Sequence, residues 1–223
     1  KILNAINMKK TVWTIISCVL VCNCAFGLAA EQTIQGFYLS NYKENGGREW
    51  EMKGKEALVK DKIVDINTME AKYYLDNDVI FVRSDKATLN KESMDVVLQD
   101  KVRVENKDGM QLNTDVLNWQ KNENKIDTKD WVEVSNKSMK INAQGMNADT
   151  SLQSVDFQKD VSVQMPDEKT GAMTTVTCDG PLEIDYKLGT AVFHDKVQAV
   201  NPNGKIYSNV ATAYFDTKEK KMI

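Results

Sequence analysis

The chain has 223 residues, enough for one or two domains with a substantial core. Its apolar fraction of 42% and charged fraction of 27% are those of a folded protein and exclude wholesale disorder. A net charge of −3 argues against a nucleic-acid partner, whose phosphates demand concentrated positive charge.

In chain order, Met8-Lys9-Lys10 reads as a translation start and n-region, followed by TVWTIISCVLVCNCAFGLAA (11–30), which carries no charge. Residues 8–30 are therefore expected to form one apolar helix that is either a cleaved secretory signal, ending on Ala29-Ala30, or a retained membrane anchor. Both readings export the remainder. Cys18, Cys22 and Cys24 lie in this segment; one of them could carry a lipid, and the plainer reading is apolar filler. Cys178 is the single cysteine of the body, so no internal disulfide is available and packing must hold the fold.

Beyond Glu31 the period is two. Val102-Arg103-Val104, Met110 to Thr114, Val132-Glu133-Val134, Met139 to Ala143 and Val161-Ser162-Val163 alternate apolar with polar residues, as strands with one buried face do. Turn formers separate the runs: Asn45-Gly46-Gly47, Lys107-Asp108-Gly109, Asn136-Lys137-Ser138, Pro166-Asp167 and Asn201-Pro202-Asn203-Gly204. The body is predicted to be all-β and mostly antiparallel. An aspartate recurs at or just before a β-branched residue, at Asp78, Asp100, Asp130, Asp160 and Asp195, with most intervals about thirty residues as in repeat architectures. These aspartates are expected to be turn residues leading into strands. Spaced one per repeat, they would lie in a row and not converge on a metal ion.

Three segments taken together resemble the LptC family of the lipopolysaccharide export system. They are GFYLSNYKENGGREWEMKGKEA (36–57), DKVRVENKDGMQLNTDVLNWQKNENKIDTKDWVEV (100–134) and INAQGMNADTSLQSVDFQKDVSVQM (141–165). Downstream, CDGPLEIDYKLGTAVFHDKVQAVNPNGKIYSNVATAYFDTKEKK (178–221) is more similar to the related periplasmic bridge component, LptA or OstA-like. The resemblance implies an open, twisted antiparallel β-jellyroll, with an LptC-like domain over 31–166 and an LptA-like segment over 167–223 that is truncated or leaves its last strand to a partner. It further implies a non-enzymatic protein with no cofactor, in the periplasm and tethered to the inner membrane through residues 11–30. Such a protein takes lipopolysaccharide from inner-membrane ABC transporter subunits and passes it to an LptA-like bridge protein joined by edge-strand addition.

An amphiphile with several acyl chains needs a dry, elongated cavity, since each methylene exposed to water costs about 0.8 kcal/mol. The inward-pointing candidates to line it are Val102, Val104, Leu112, Val132, Val134, Met139, Ile141, Val161 and Val163. The same alternation would equally build a closed sandwich core. Two rival functions keep the repeats but not the lipid: a structural β-solenoid or adhesin-like envelope protein, and a polysaccharide-acting enzyme on a β-helix. His194 is the only histidine, and Cys178 has no nearby base or cation to activate it, so the residues give catalysis little support.

Overall fold

The computed structural model describes residues 31–75, 78–150, 153–166, 170–216 and 221–222. The apolar segment at 8–30 lies outside the described residues. Among the described residues the alternating runs become fourteen strands: β1 (Gln32–Tyr42), β2 (Arg48–Val59), β3 (Ile63–Tyr74), β4 (Val79–Asn90), β5 (Val96–Glu105), β6 (Gln111–Gln120), β7 (Lys125–Ser135), β8 (Lys140–Asp149), β9 (Ser154–Pro166), β10 (Met173–Cys178), β11 (Leu182–Asp185), β12 (Thr190–Asn201), β13 (Gly204–Asp216) and β14 (Lys221–Met222). They form an antiparallel meander in one sheet, each strand paired with the next in sequence up to β10. β10 and β11 are two halves of one interrupted strand. Both lie between β9 and β12, and Asp179-Gly180-Pro181 separates them. The sheet therefore runs unbroken through residue 166 into the C-terminal segment.

The turns use the chemistry their sequences offer. Gly46 and Gly109 take the left-handed conformation that closes the β1–β2 and β5–β6 hairpins. Asn136 accepts a hydrogen bond from the Ser138 amide at 2.8 Å, and Asn201 accepts from Asn203 and Gly204 at 2.9 and 3.1 Å.

The recurring aspartates do something other than expected. Asp78 does precede β4, and its carboxylate accepts from the Val79 amide at 2.7 Å. Asp100, Asp160 and Asp195, however, sit in the middle of long strands with φ between 51° and 62°. Lys101 and Lys196 follow in the same left-handed conformation, and Thr68, Gly36 and Gly145 occupy corresponding mid-strand positions. The pairing registers shift at these places in strand after strand. A line of β-bulges thus crosses the sheet and creases it. Aspartate tolerates the left-handed region better than most side chains, which accounts for Asp100, Asp160 and Asp195; Asp130 lies within β7 at the same register shift but without a positive φ.

Small side chains occupy the inner side of the crease. Gly54, Ser84, Thr114, Ala143 and Cys178 alternate along it with Met69, Val102, Val132 and Val161. A Cβ on Gly54 would meet the Phe37 ring at 2.5 Å, so the ring needs a glycine beneath it. The hydroxyl of Thr114 lies 3.4 Å from that of Thr128 and 3.3 Å from the Val116 carbonyl, so these buried oxygens are satisfied. With no helix among the described residues to cover it, the sheet can bury its inner face this deeply only by folding on itself along the crease. Buried residues from Ala57 through Phe215 belong to one apolar cluster.

Candidate functional site

Residues paired across neighbouring strands point to the same face, so the registers can be followed as rows over the inner surface. One side of the crease carries Ala57, Ile66, Ala87, Leu98, Leu117, Thr128, Met146, Phe157, Leu182 and Phe193, all buried. This is a packed row, closed to solvent from β2 to β12.

The other side carries an unbroken apolar row of twelve residues: Leu39, Met52, Ala71, Val82, Val104, Leu112, Val134, Ile141, Val163, Val176, Ala199 and Ile206. Its burial is uneven. Ile141, Val163 and Val176 are buried, but Met52 through Val134 are only half-buried, and the two ends, Leu39 and Ile206, are 48% and 70% exposed. Those ends fall on the outermost long strands, β1 and β13. Half-buried Met110, Met139 and Met165 lie two residues beyond this row, at the rim. The cleft is therefore closed along one wall and open along the other, and its apolar lining reaches both edges of the sheet.

At the C-terminal edge the inner face holds an apolar cavity of about 180 Å³ lined by Val176, Phe193, Val197, Ala199, Ile206, Ala211 and Ala213 among others. No residue of this end was singled out from the sequence. The clue available there was the alternation in Ala191-Val192-Phe193 and Ala211-Thr212-Ala213.

The nine residues named from the alternation share one side of the sheet. Val104, Leu112, Val134, Ile141 and Val163 belong to the open row, and Met139 stands at its rim. Val102, Val132 and Val161 sit on the crease, at 1%, 1% and 2% exposure, packed as core. The outer face over the same strands is polar, through Arg103, Asn113, Glu133, Asn142 and Ser162.

The sheet's two long edges differ in covering. β1 contains no charged residue and exposes Ile34, Tyr38, Leu39 and Tyr42. β13 exposes Ile206, Tyr207, Val210 and Tyr214, and among the described residues it pairs with β14 only at Phe215 and Asp216. Behind β1, on the outer face, Glu51 accepts hydrogen bonds from Lys72 at 2.7 Å, Arg48 at 2.8 Å and Tyr38 at 2.9 Å. The Lys72 ammonium, then the Tyr38 hydroxyl, hold its carboxyl down to about 2.

The ionisable groups elsewhere are dispersed. Burial pushes the Cys178 thiol up, away from reactivity, and its Sγ donates to the Gly180 carbonyl at 3.4 Å. His194 Nε2 is buried without a hydrogen-bond partner, 3.7 Å from a Glu183 oxygen on the outer face. Among the described residues no group of three or more His, Cys, Asp and Glu side chains could hold a metal ion, and no helix is long and apolar enough to cross a membrane.

Residues 29–166 match the family model described as LptC, lipopolysaccharide-assembly, LptC-related, which covers more than half the chain. No curated protein matches the chain.

Proposed function

The chain belongs to the LptC family, and from that premise we propose that its half-open cleft binds the acyl chains of lipopolysaccharide and hands the lipid from an inner-membrane ABC transporter to a periplasmic bridge protein. The family serves lipopolysaccharide transport in the periplasm at the inner membrane and is not known as an enzyme. The observation that carries the finer reading is the apolar row from Leu39 to Ile206. It is continuous over twelve strands, half-buried along much of its length and exposed at both edges. A purely structural protein would gain by closing this row as it closes the other one. Leaving it ajar costs hydrophobic stabilisation, at roughly 25 cal/mol for each Å² kept wet, unless a ligand covers it.

The edges supply the route of transfer. An uncharged β1 and a nearly uncharged β13 lack the charges that usually blunt a free edge, so each invites strand addition from another β-protein. Addition at either edge extends the row into the partner, and acyl chains slide along it without meeting water. Residues 11–30, read as the anchor, enter the body one residue before β1. The β1 edge is accordingly assigned to the transporter, and the β13 edge, within the LptA-like segment 167–223, to the bridge protein. No ATP chemistry is assigned to this chain.

The test is photo-crosslinking in cells making lipopolysaccharide, with the probe placed at Leu112, Glu133 or Val134. Lipid adducts at Leu112 and Val134 but not at Glu133 are expected, because Glu133 faces outward. A folded, exported protein that gives no adduct at Leu112 or Val134 would overturn the reading.

A further inference from the structure

On the outer face, backing the open row, β5 to β8 form a shallow, open depression. The polar row Arg103, Asn113, Glu133 and Asn142, one residue from each of four adjacent strands, lines it together with Val102, Thr114 and Val132 of the crease. With about 4.8 Å between strands the row spans about 14 Å, long enough for a short oligosaccharide. Trp131 lines the same depression and is 59% exposed, an unusual cost for the largest side chain on a face that is otherwise polar.

The charges are already largely balanced within the protein. Arg103 pairs with Glu105 at 3.2 Å, Glu133 with Lys140 at 2.7 Å, and Lys101 with Asp85 at 2.8 Å. Asp115 is the lining carboxylate without an ion pair among the described residues, so an anionic ligand would be repelled. The Asn113 and Asn142 amides make no hydrogen bond among the described residues, which leaves donors and acceptors free on either side of Glu133. A flat aromatic face beside free amides and the Asp115 carboxylate suits a ring that is apolar on its C–H face and hydroxylated at its rim. We propose that this depression binds a neutral oligosaccharide, with Trp131 stacked on one sugar ring and Asn113, Asn142 and Asp115 bonding to its hydroxyl or acetamido groups.

The sugar is not the head of a lipid held in the cleft. The depression lies on the opposite face of the sheet, and β5 is four strands from the β1 edge, about 19 Å away at the same spacing. A separate glycan of the envelope is the ligand, and the site would fix the bridge laterally without entering the transfer path. This inference stands apart from the lipid reading.

The test uses the full chain in a zwitterionic, sugar-free detergent, titrated with triacetylchitotriose and with maltotriose by calorimetry and tryptophan fluorescence. Saturable binding of at least one of them, with Kd about 1 mM or tighter, is expected. Trp131→Ala and the double variant Asn113→Ala/Asn142→Ala should each weaken it at least tenfold while leaving Tm and lipid crosslinking at Val134 unchanged. Preloading with lipopolysaccharide should leave the sugar affinity within about twofold. Absence of saturable binding of both probes, binding undiminished in Trp131→Ala, or binding abolished by preloading would each overturn the proposal.

Discussion

The two walls of the cleft should respond differently to the same kind of truncation. Phe157 lies in the packed row at 2% exposure, so Phe157→Ala leaves a sealed void and should cost about 3–5 kcal/mol. For a body of this size that lowers Tm by about 6–20 °C, at about 2–4 °C per kcal/mol. Leu112 lies half-buried in the open row. Leu112→Ala removes three carbons, worth about 2.4 kcal/mol if fully buried and therefore about 1 kcal/mol here, with no sealed cavity to add to it. On the proposed function the lipid sees the reverse: Leu112→Ala would remove contact area from the acyl chains and should weaken lipopolysaccharide binding about fivefold, the equivalent of about 1 kcal/mol. Phe157→Ala, measured where it is still folded, should leave that affinity within about twofold. Denaturant unfolding of the full chain gives the first pair of numbers and competition with a fluorescent lipopolysaccharide gives the second. If Leu112→Ala costs as much stability as Phe157→Ala, or if Phe157→Ala is the variant that loses lipid, the division into a closed and an open wall is wrong.

The crease makes its own demand: Lys101→Ile forces a β-branched side chain into φ 53° and should destabilise by about 1–2 kcal/mol, whereas Lys101→Gly should be neutral or mildly stabilising, as equilibrium unfolding would show. Gly145→Ala is strained both by φ 81° and by the Gln158 side chain, 2.5 Å from the added Cβ. Adding Gln158→Ala should restore only the steric part of the lost Tm, and full restoration would mean the backbone is not strained. Glu51 sets an acid limit. Its folded carboxyl titrates near 2, below its ordinary 4.5, so its contribution is fully present above pH 4.5 and is lost as pH falls through about 2. In Glu51→Gln the fall of Tm between pH 4.5 and 2 should be shallower than in the wild type, and parallel curves would refute the assignment.

Inward-facing residues were legible wherever period two ran undisturbed. Val102 with Val104, Val132 with Val134, Met139 with Ile141 and Val161 with Val163 each lie on one side of the crease, so parity alone places them. Crossing the crease, parity fails in most of the strands. Inward positions advance by three in β2, β3, β4, β6 and β8, from Gly54 to Ala57, Ile66 to Met69, Ser84 to Ala87, Thr114 to Leu117 and Ala143 to Met146, and by their pairing in β1 and β13 as well. They advance by four in β5, β7, β9 and β12, as from Leu98 to Val102 and Phe157 to Val161. An odd advance turns the remaining side chains to the opposite face of a regular strand, so the packed row could not be read by continuing the alternation. The aspartates that mark the crease were visible, but a left-handed aspartate between apolar residues looks the same in sequence whether it begins a strand or bends one. The uneven burial of the open row leaves no local trace, because it depends on how far apart the two halves of the folded sheet stand.

Those facts together explain how a single sheet can hold a groove open without a second layer. A flat meander with one apolar face would collapse or aggregate. The row of bulges lets it fold, and the small residues Gly54, Ser84, Thr114, Ala143 and Cys178 let the fold be tight. Tightness on the packed side, where Phe157, Leu182 and Phe193 meet in register, supplies the stability that the half-buried side forgoes. Closing the open wall as well would strengthen the body but shorten the apolar row, which could then no longer reach Leu39 and Ile206 at the edges. If the cleft continues into its neighbours, as proposed, it has to stay unfinished at both ends, and the packed row makes that tolerable.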